Sequence, residues 1–416
     1  MDAYNEYLNS LFNRNRDIYG GFENIRWANP YNTTEARKRR DELLTNIGNN
    51  SLFKQTKPYY GFISEGCNLC GMGQWSCIFI TGTCNASCFY CPARQDYDEI
   101  PSSQKLIFES PEIYADYVNY MGFKGVSFSG GEPLLQFDRV LSYLDSLRKK
   151  SDPHIYTWLY TNGVIGNQHM YTRLAKTGLN EIRFNIGATN YSIDKLRKAS
   201  GLIPVITVEI PAIPEEKDLI IKLLPWLIKA GVSNLNLHQL RLTSHNAPNI
   251  IKRGYTLIPA EKPVVMESEL TALEIINDTL RKKLDIGINY CSFLFKYRFQ
   301  KAGFRKKTAM AIKIPEEMIT ENGFIREAGD DFIKYSGVLI TENTQSPFPA
   351  GSHVIKMESK CYMVHRLTAL HYNNLSKEKM KEINDQITSE PSVIPCDIIL
   401  FDAWQHEYIE RGLREY

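Results

Sequence analysis

The sequence predicts an α/β fold: a partial (β/α)6 TIM-like barrel between an N-terminal helical extension and a small mixed C-terminal region. Two observations carry this. From residue 75 onward, short runs rich in Val, Ile, Phe and Tyr alternate with amphipathic segments of helix length. Several of those segments end in Gly, the residue best suited to a left-handed helix cap. Strict alternation implies right-handed crossovers and a parallel sheet, with ligands at the C-terminal ends of the strands. A doubly wound sheet shares this rhythm, and periodicity alone does not separate the two.

Taken in order, residues 1–66 are polar and rich in Asn, Tyr and Arg. They read as helical and irregular cover, with "TTEARKRRDELLTNI" the clearest helix and Thr34 its cap. Residues 67–308 hold the alternating units. The expected strands are "SCIFITG", "GVSFSG", "YTWLYTNG", "EIRFNIG", "IPVITVEIP", "SNLNLHQL" and "IGINYCS". Between them lie helical segments such as "FDRVLSYLDSLRKK" and "ELTALEIINDTLRKKL". A loop, "SHNAPNIIKRGYTLIPAEKPVV", interrupts the rhythm. Residues 309–416 form a separate accessory region, and the basic run Lys301 to Lys307 before it reads as a solvated helix end.

The chain of 416 residues is 43% hydrophobic and 23% charged, with a net charge of +2. No global field points to nucleic acid or an acidic membrane as a partner. No apolar run has the length of a signal peptide or a membrane span, so a cytoplasmic location is expected.

Six of the nine cysteines fall between Cys67 and Cys91, the others being Cys291, Cys361 and Cys396. In a large chain with no secretion signal, such a cluster reads as metal binding rather than disulfides. In "FITGTCNASCFYCPARQ", Cys84, Cys88 and Cys91 are spaced Cys-x3-Cys-x2-Cys where the first expected strand ends. Thiolates hold iron–sulfur clusters. Gaps of three and two residues let one loop wrap three corners of a cubane and leave the fourth iron free for a small molecule. A structural zinc or an inert reduced group is the alternative that spacing leaves open.

"CNASCFYC" resembles the Cys-x3-Cys-x-aromatic-Cys signature of the radical S-adenosylmethionine (SAM) superfamily. The resemblance implies a [4Fe-4S] cluster on Cys84, Cys88 and Cys91, with SAM chelating the unique iron. Tyr90 would lie against the adenine. "FSGGEPLL" at the end of the second strand is similar to the family's GGE segment, so Ser129, Gly130, Gly131 and Glu132 would contact the methionine amine. Adjacent glycines let backbone carbonyls approach an ammonium closely. Other strand ends supply Thr161 and Asn162, Arg183 and Asn185, Glu209, and His238. The resemblance gives some of these the ribose, the SAM carboxylate or the substrate. Glu209 interrupts an apolar run, and a carboxylate there needs a partner.

Upstream, "GCNLCGMGQWSC" contains Cys67-x2-Cys70, a knuckle-like gap, followed by Cys77. Cys291 ends the seventh expected strand and can join Cys67 and Cys70 in an auxiliary metal site. Zinc, mononuclear iron and a second cluster all suit it. Cys77 is a weaker ligand and reads equally well as a small buried residue. Cys361 and Cys396 read as ordinary buried cysteines.

The family's shared step is reductive cleavage of SAM to methionine and a 5′-deoxyadenosyl radical, which abstracts a hydrogen atom. From about residue 64 to 308, the chain is most similar to a group related to pyruvate formate-lyase activating enzymes. The shared pieces are "GCNLC", "FITGTCNASCFYCP", "VEIPAIP" and "INYCS". Three readings follow. The first is modification of a peptide or protein side chain, with a one-electron donor such as flavodoxin or ferredoxin. The second is action on a small metabolite, or activation of a glycyl-radical partner. The third, of another class, is a non-catalytic module whose cysteines hold zinc.

Overall fold

The computed structural model describes residues 3–28, 33–104 and 106–312, and strand segments 318–319, 325–328, 332–340, 353–354 and 357–365. All seven expected strands are present: β1 (Trp75–Thr81), β2 (Gly125–Gly130), β3 (Tyr156–Thr161), β4 (Glu181–Phe184), β5 (Val205–Pro211), β6 (Asn234–His238) and β7 (Gly287–Cys291). Each pairs in parallel with the next in chain order. The strands β1 and β7 stand apart in that order. Lys57–Tyr60 runs antiparallel along β7, and Ser102–Ser103 antiparallel along β1. The barrel is therefore open, as expected of a partial one.

Helices fill the crossovers where the amphipathic segments lie: Pro111–Tyr120, Phe137–Lys150, Gln168–Lys176, Asp194–Arg197, Lys217–Lys229 and Met266–Lys282. Gly122, Gly178 and Gly231 have φ values of 60°, 96° and 84° just beyond three of them, the left-handed caps the sequence suggests. The outward side chains of β4 to β7 are apolar: Ile182, Phe184, Ile206, Val208, Leu235, Leu237, Ile288 and Tyr290 all join the main core. Burying an aliphatic side chain of this size stabilises the fold by about 1.5–3 kcal/mol.

The inward positions of the same strands are polar: Glu181, Arg183, Thr207, Glu209, Asn234, Asn236, His238 and Asn289. They face a short helix, Glu65–Gly71, that occupies the barrel interior. A Cβ on Gly66 would stand 2.4 Å from Arg183 Nη2 and 2.9 Å from Glu181 Oε2, so only glycine lets the helix approach this closely. Ser64 caps that helix by accepting the Cys67 N–H at 3.3 Å, and its hydroxyl also accepts from Arg183 at 3.1 Å.

Two details depart from the sequence reading. The helix Thr34–Ile47 has Thr33, not Thr34, at its cap position. The expected loop after Ser244 is partly ordered into a helix, Ala247–Ile251, started by Pro248, and two strands, Thr256–Ile258 and Val264–Val265. With Arg26–Trp27 these strands make a three-stranded sheet. The pairing across the chain is what gives this segment its order, and local pattern did not reveal it.

The run "FKYRFQKAGFRKK" forms a π-helical turn, Lys296–Lys301, continued by the helix Ala302–Ile312. Beyond it, Met318–Ile319, Ile325–Ala328, Phe332–Ile340 and Met357–His365 pair as a four-stranded antiparallel sheet. Among the described residues, no helix is long and apolar enough to cross a membrane.

Candidate active site

A cavity of about 400 Å³ opens at the C-terminal ends of the strands, a size suited to a small molecule. The loop after β1 supplies Cys84, Cys88, Tyr90 and Cys91 to its wall. A register shift between Phe79 and Thr81 bends β1 just before this loop, as bulges beside active sites commonly do. The three cysteines are half-buried and none is in a disulfide. Burial pushes all three thiols above the ordinary range, so without a positive partner they stay protonated. Asn162 Nδ2 approaches Cys84 Sγ at 3.6 Å.

Across from the loop, Ser129, Gly130 and Gly131 line the cavity, but their neighbour Glu132 does not. Glu132 is 1% exposed. Its carboxylate accepts the Leu134 N–H at 2.9 Å, the Thr161 hydroxyl at 2.8 Å and the Asn162 N–H at 2.6 Å. These bonds make Glu132 a clamp between the ends of β2 and β3. The glycines have a packing reason as well. A Cβ on Gly130 would lie 2.2 Å from Thr81 O, and one on Gly131 would lie 2.1 Å from Thr83 O. The turn is pressed onto the start of the cysteine loop.

Thr161 and Asn162 both reach the cavity, and Asn162 ties it to the cysteine loop through Asn85 at 2.7 Å. The Tyr90 hydroxyl donates to Asn185 Oδ1 at 3.0 Å, fixing the ring at the cavity wall. Arg183 and Glu209 meet at 2.9 Å, which gives the Glu209 carboxylate its partner. Arg183 also bonds Glu181 at 2.9 and 3.2 Å and lies over the rings of Trp158 and Tyr160. Burial works against the charge of Arg183, but Glu181 foremost outweighs it and holds the guanidinium protonated. Burial alone would likewise raise the Glu209 carboxyl; Arg183 and His238 overcome that and hold it far below the usual carboxylate range. His238 binds Glu209 through Nε2 and Lys296 through Nδ1. Burial and Lys296 keep its pKa down, so the imidazole is neutral and donates to Glu209.

Behind this network, Cys67, Cys70 and Cys291 each have a nitrogen partner. Asn236 Nδ2 lies 3.3 Å from Cys67 Sγ, Gln300 Nε2 lies 2.9 Å from Cys70 Sγ, and Lys57 Nζ lies 3.1 Å from Cys291 Sγ. Lys57 is 1% exposed and also sits over the Phe295 ring. Burial opposes its charge, yet Cys291 and Cys67 hold its pKa up. Among the described residues, no three His, Cys, Asp or Glu side chains are spaced to hold a single metal ion. Corner ligands of a cluster need no such convergence, because each takes a different iron. Cys77 packs with Leu69, Trp75 and Trp158 away from the cavity, and burial pushes its thiol up to about 11. Cys361 lies on the strand Met357–His365, and Cys396 lies outside the described residues.

The donor set fits the cofactors the sequence suggests: three soft, free sulfurs face one cavity together with an aromatic ring and open glycine backbone. Sequence reasoning missed Lys57, Asn236, Tyr160, Arg241, Phe293 and Lys296. The signal for Asn236 was present, since "NLNLH" alternates polar and apolar where a doubly buried parallel strand reads as continuously apolar.

The Radical SAM superfamily model matches residues 78–219. A protein of Methanocaldococcus jannaschii, provisionally named a glycyl-radical enzyme activating enzyme, is 31% identical over 309 residues, covering 70% of this chain and 80% of that protein. The GTP 3′,8-cyclase of Rhodopirellula baltica is 29% identical over 195 residues, covering 45% of this chain and 48% of the cyclase. The chain thus spans about half of that relative. The crystal structure of Streptococcus suis SuiB bound to S-adenosylmethionine matches at 14% identity with a TM-score of 0.40, over 61% of this chain and 59% of SuiB.

Proposed function

The chain belongs to the radical SAM superfamily, a family of enzymes that use SAM and a [4Fe-4S] cluster, and on that premise we propose that it abstracts a hydrogen atom from a peptide or protein substrate. The observation that carries the proposal is the meeting of Cys84, Cys88 and Cys91 with the polar inner face of the sheet in one cavity. The likeness to a protein named as an activator of another enzyme supports a protein substrate.

In this reading Cys84, Cys88 and Cys91 hold the cluster, and Tyr90 lies against the adenine. When bound, the cluster and SAM supply one-electron reductive cleavage, which ends in hydrogen-atom abstraction from a C–H bond. The chain's own residues bind, orient and exclude water. Ser129, Gly130 and Gly131 offer backbone to the methionine end, and Glu132 holds Thr161 and Asn162 in place beside them. Arg183 and Glu209 keep their charges fixed in a buried network, so the wall does not rearrange during turnover. His238 is held neutral and hydrogen-bonded at both nitrogens, which makes it a positioning group for Glu209 and Lys296.

Cys67, Cys70 and Cys291 enter the proposal as corner ligands of an auxiliary cluster, since among the described residues no three such side chains are spaced to hold a single metal ion. The nitrogen donors at each sulfur support this, since such bonds stabilise metal-bound thiolates. No step depends on that cluster. Iron and zinc counts that stay unchanged in the Cys67→Ala/Cys70→Ala variant would remove it.

The test of the main proposal is anaerobic reconstitution followed by addition of a strong one-electron reductant and SAM. Mass spectrometry then measures 5′-deoxyadenosine. Wild type should form it, and the variant with Cys84, Cys88 and Cys91 all changed to Ala should not. Protein that carries zinc without sulfide and forms none would overturn the proposal.

A further inference from the structure

On the reading that the cavity holds a substrate beside SAM, we propose that Arg241 and Lys296 form a recognition site for an oxyanion of that substrate, a carboxylate or a phosphate. The two residues follow the ends of neighbouring strands, Arg241 just past β6 and Lys296 in the π-helical turn past β7. Both line the cavity. They share one aromatic ring: the Arg241 guanidinium lies 5.2 Å from the Phe293 centroid, and the Lys296 ammonium 4.9 Å from it.

Neither cation forms an ion pair with a carboxylate among the described residues. The acid within reach of Lys296, Glu209, is already bound by Arg183, Asn236 and His238. Lys296 instead donates to the neutral Nδ1 of His238 at 3.0 Å. Burial works foremost against both charges; for Lys296, Cys291 and Glu209 favour the charge while Arg241 opposes it. Burial and then the charge of Arg241 lower the pKa of Lys262, a further cation in its field. Two partly desolvated cations set against one ring, with no acid between them, are costly to hold.

An incoming oxyanion removes that cost. Arg241 offers a planar fork and Lys296 a point charge, the combination suited to a carboxylate or phosphate. The ring of Phe293 then forms the apolar floor beneath the anion. A peptide substrate supplies this group as an acidic side chain or a terminal carboxylate, and a phosphorylated substrate supplies it as phosphate.

The experiment is calorimetric titration of the reconstituted, SAM-bound protein with acetate and, separately, with inorganic phosphate. Because no turnover is required, failure of SAM cleavage would leave this result readable by itself. Wild type should bind at least one of the two anions, and Arg241→Gln and Lys296→Gln should each weaken that binding roughly tenfold or more. Preference for acetate assigns a carboxylate, and preference for phosphate assigns a phosphorylated substrate. Arg241→Lys, which keeps the charge, should weaken binding less than Arg241→Gln. Three results would overturn the proposal. They are no binding of either anion by wild type, binding that survives both Gln variants, and loss of SAM affinity by the same factor, which would give these cations to SAM or to the cluster loop.

Discussion

Glu132 and Thr161 join the ends of two neighbouring strands: the buried carboxylate accepts the threonine hydroxyl at 2.8 Å and, through its other oxygen, the Asn162 N–H at 2.6 Å. Every partner of Glu132 is a donor. Glu132→Gln would turn an amide NH2 toward one of them and leave a buried donor unsatisfied. The variant should lose about 1–3 kcal/mol of stability in urea unfolding. Because Glu132 does not line the cavity, its effect on SAM affinity should appear only through the displaced Thr161 and Asn162. A SAM affinity that collapses while stability is unchanged would return Glu132 to direct contact with the ligand.

Gly131→Ala tests the turn beside it. A methyl group there would lie 2.1 Å from the Thr83 carbonyl, a backbone atom of the cysteine loop. The loop must move, so the variant should take up much less iron on reconstitution than wild type while retaining far-UV helix content. Normal iron content would show that the loop yields freely.

Tyr90 separates ring from hydroxyl. Tyr90→Phe removes one bond to Asn185, worth about 1 kcal/mol, so SAM affinity should fall by no more than about fivefold. Tyr90→Ala removes the whole ring and should cost considerably more. Equal losses in the two variants would contradict a stacking role.

The Arg183–Glu209 pair predicts a pH dependence. Removing Arg183 (Arg183→Met) strands two buried carboxylates, Glu181 and Glu209, and should destabilise the fold by about 3–5 kcal/mol. The folded pKa of Glu209 lies below its unfolded value, so its stabilisation is present above an unfolded pKa of about 4.3 and fades as pH falls below that. Glu209→Gln should therefore be less stable than wild type at pH 7, with the gap narrowing below about pH 4. Urea midpoints measured across that range would decide it.

The sequence makes the sheet legible because its outer face is apolar at every second position and its helices end in glycine. It makes the cysteine loop legible because three thiols within eight residues leave few alternatives. Other features escape it for identifiable reasons. Glu132 lies in a motif that suggests ligand contact, and only the three-dimensional positions of Thr161 and Asn162 show where its oxygens go. Lys57 sits in a segment that reads as polar cover, yet pairing with β7 carries it into the interior beside Cys291. Arg241 and Lys296 are ordinary cations in the sequence. What sets them apart is a shared ring and the absence of an acid between them.

The strand Lys57–Tyr60, which lies between β7 and the strand Ser51–Leu52, also ties an early segment of the chain to a late one. Tyr60 pairs with Ile288 and Tyr59 with Asn289, so a segment made early waits for the last parallel strand to be synthesised. Until then Lys57 has no sulfur from Cys291 beside it, and the inner side of the sheet stays open. The late joining is thermodynamically mild, because each doubling of a closing loop costs only about 0.6 kcal/mol.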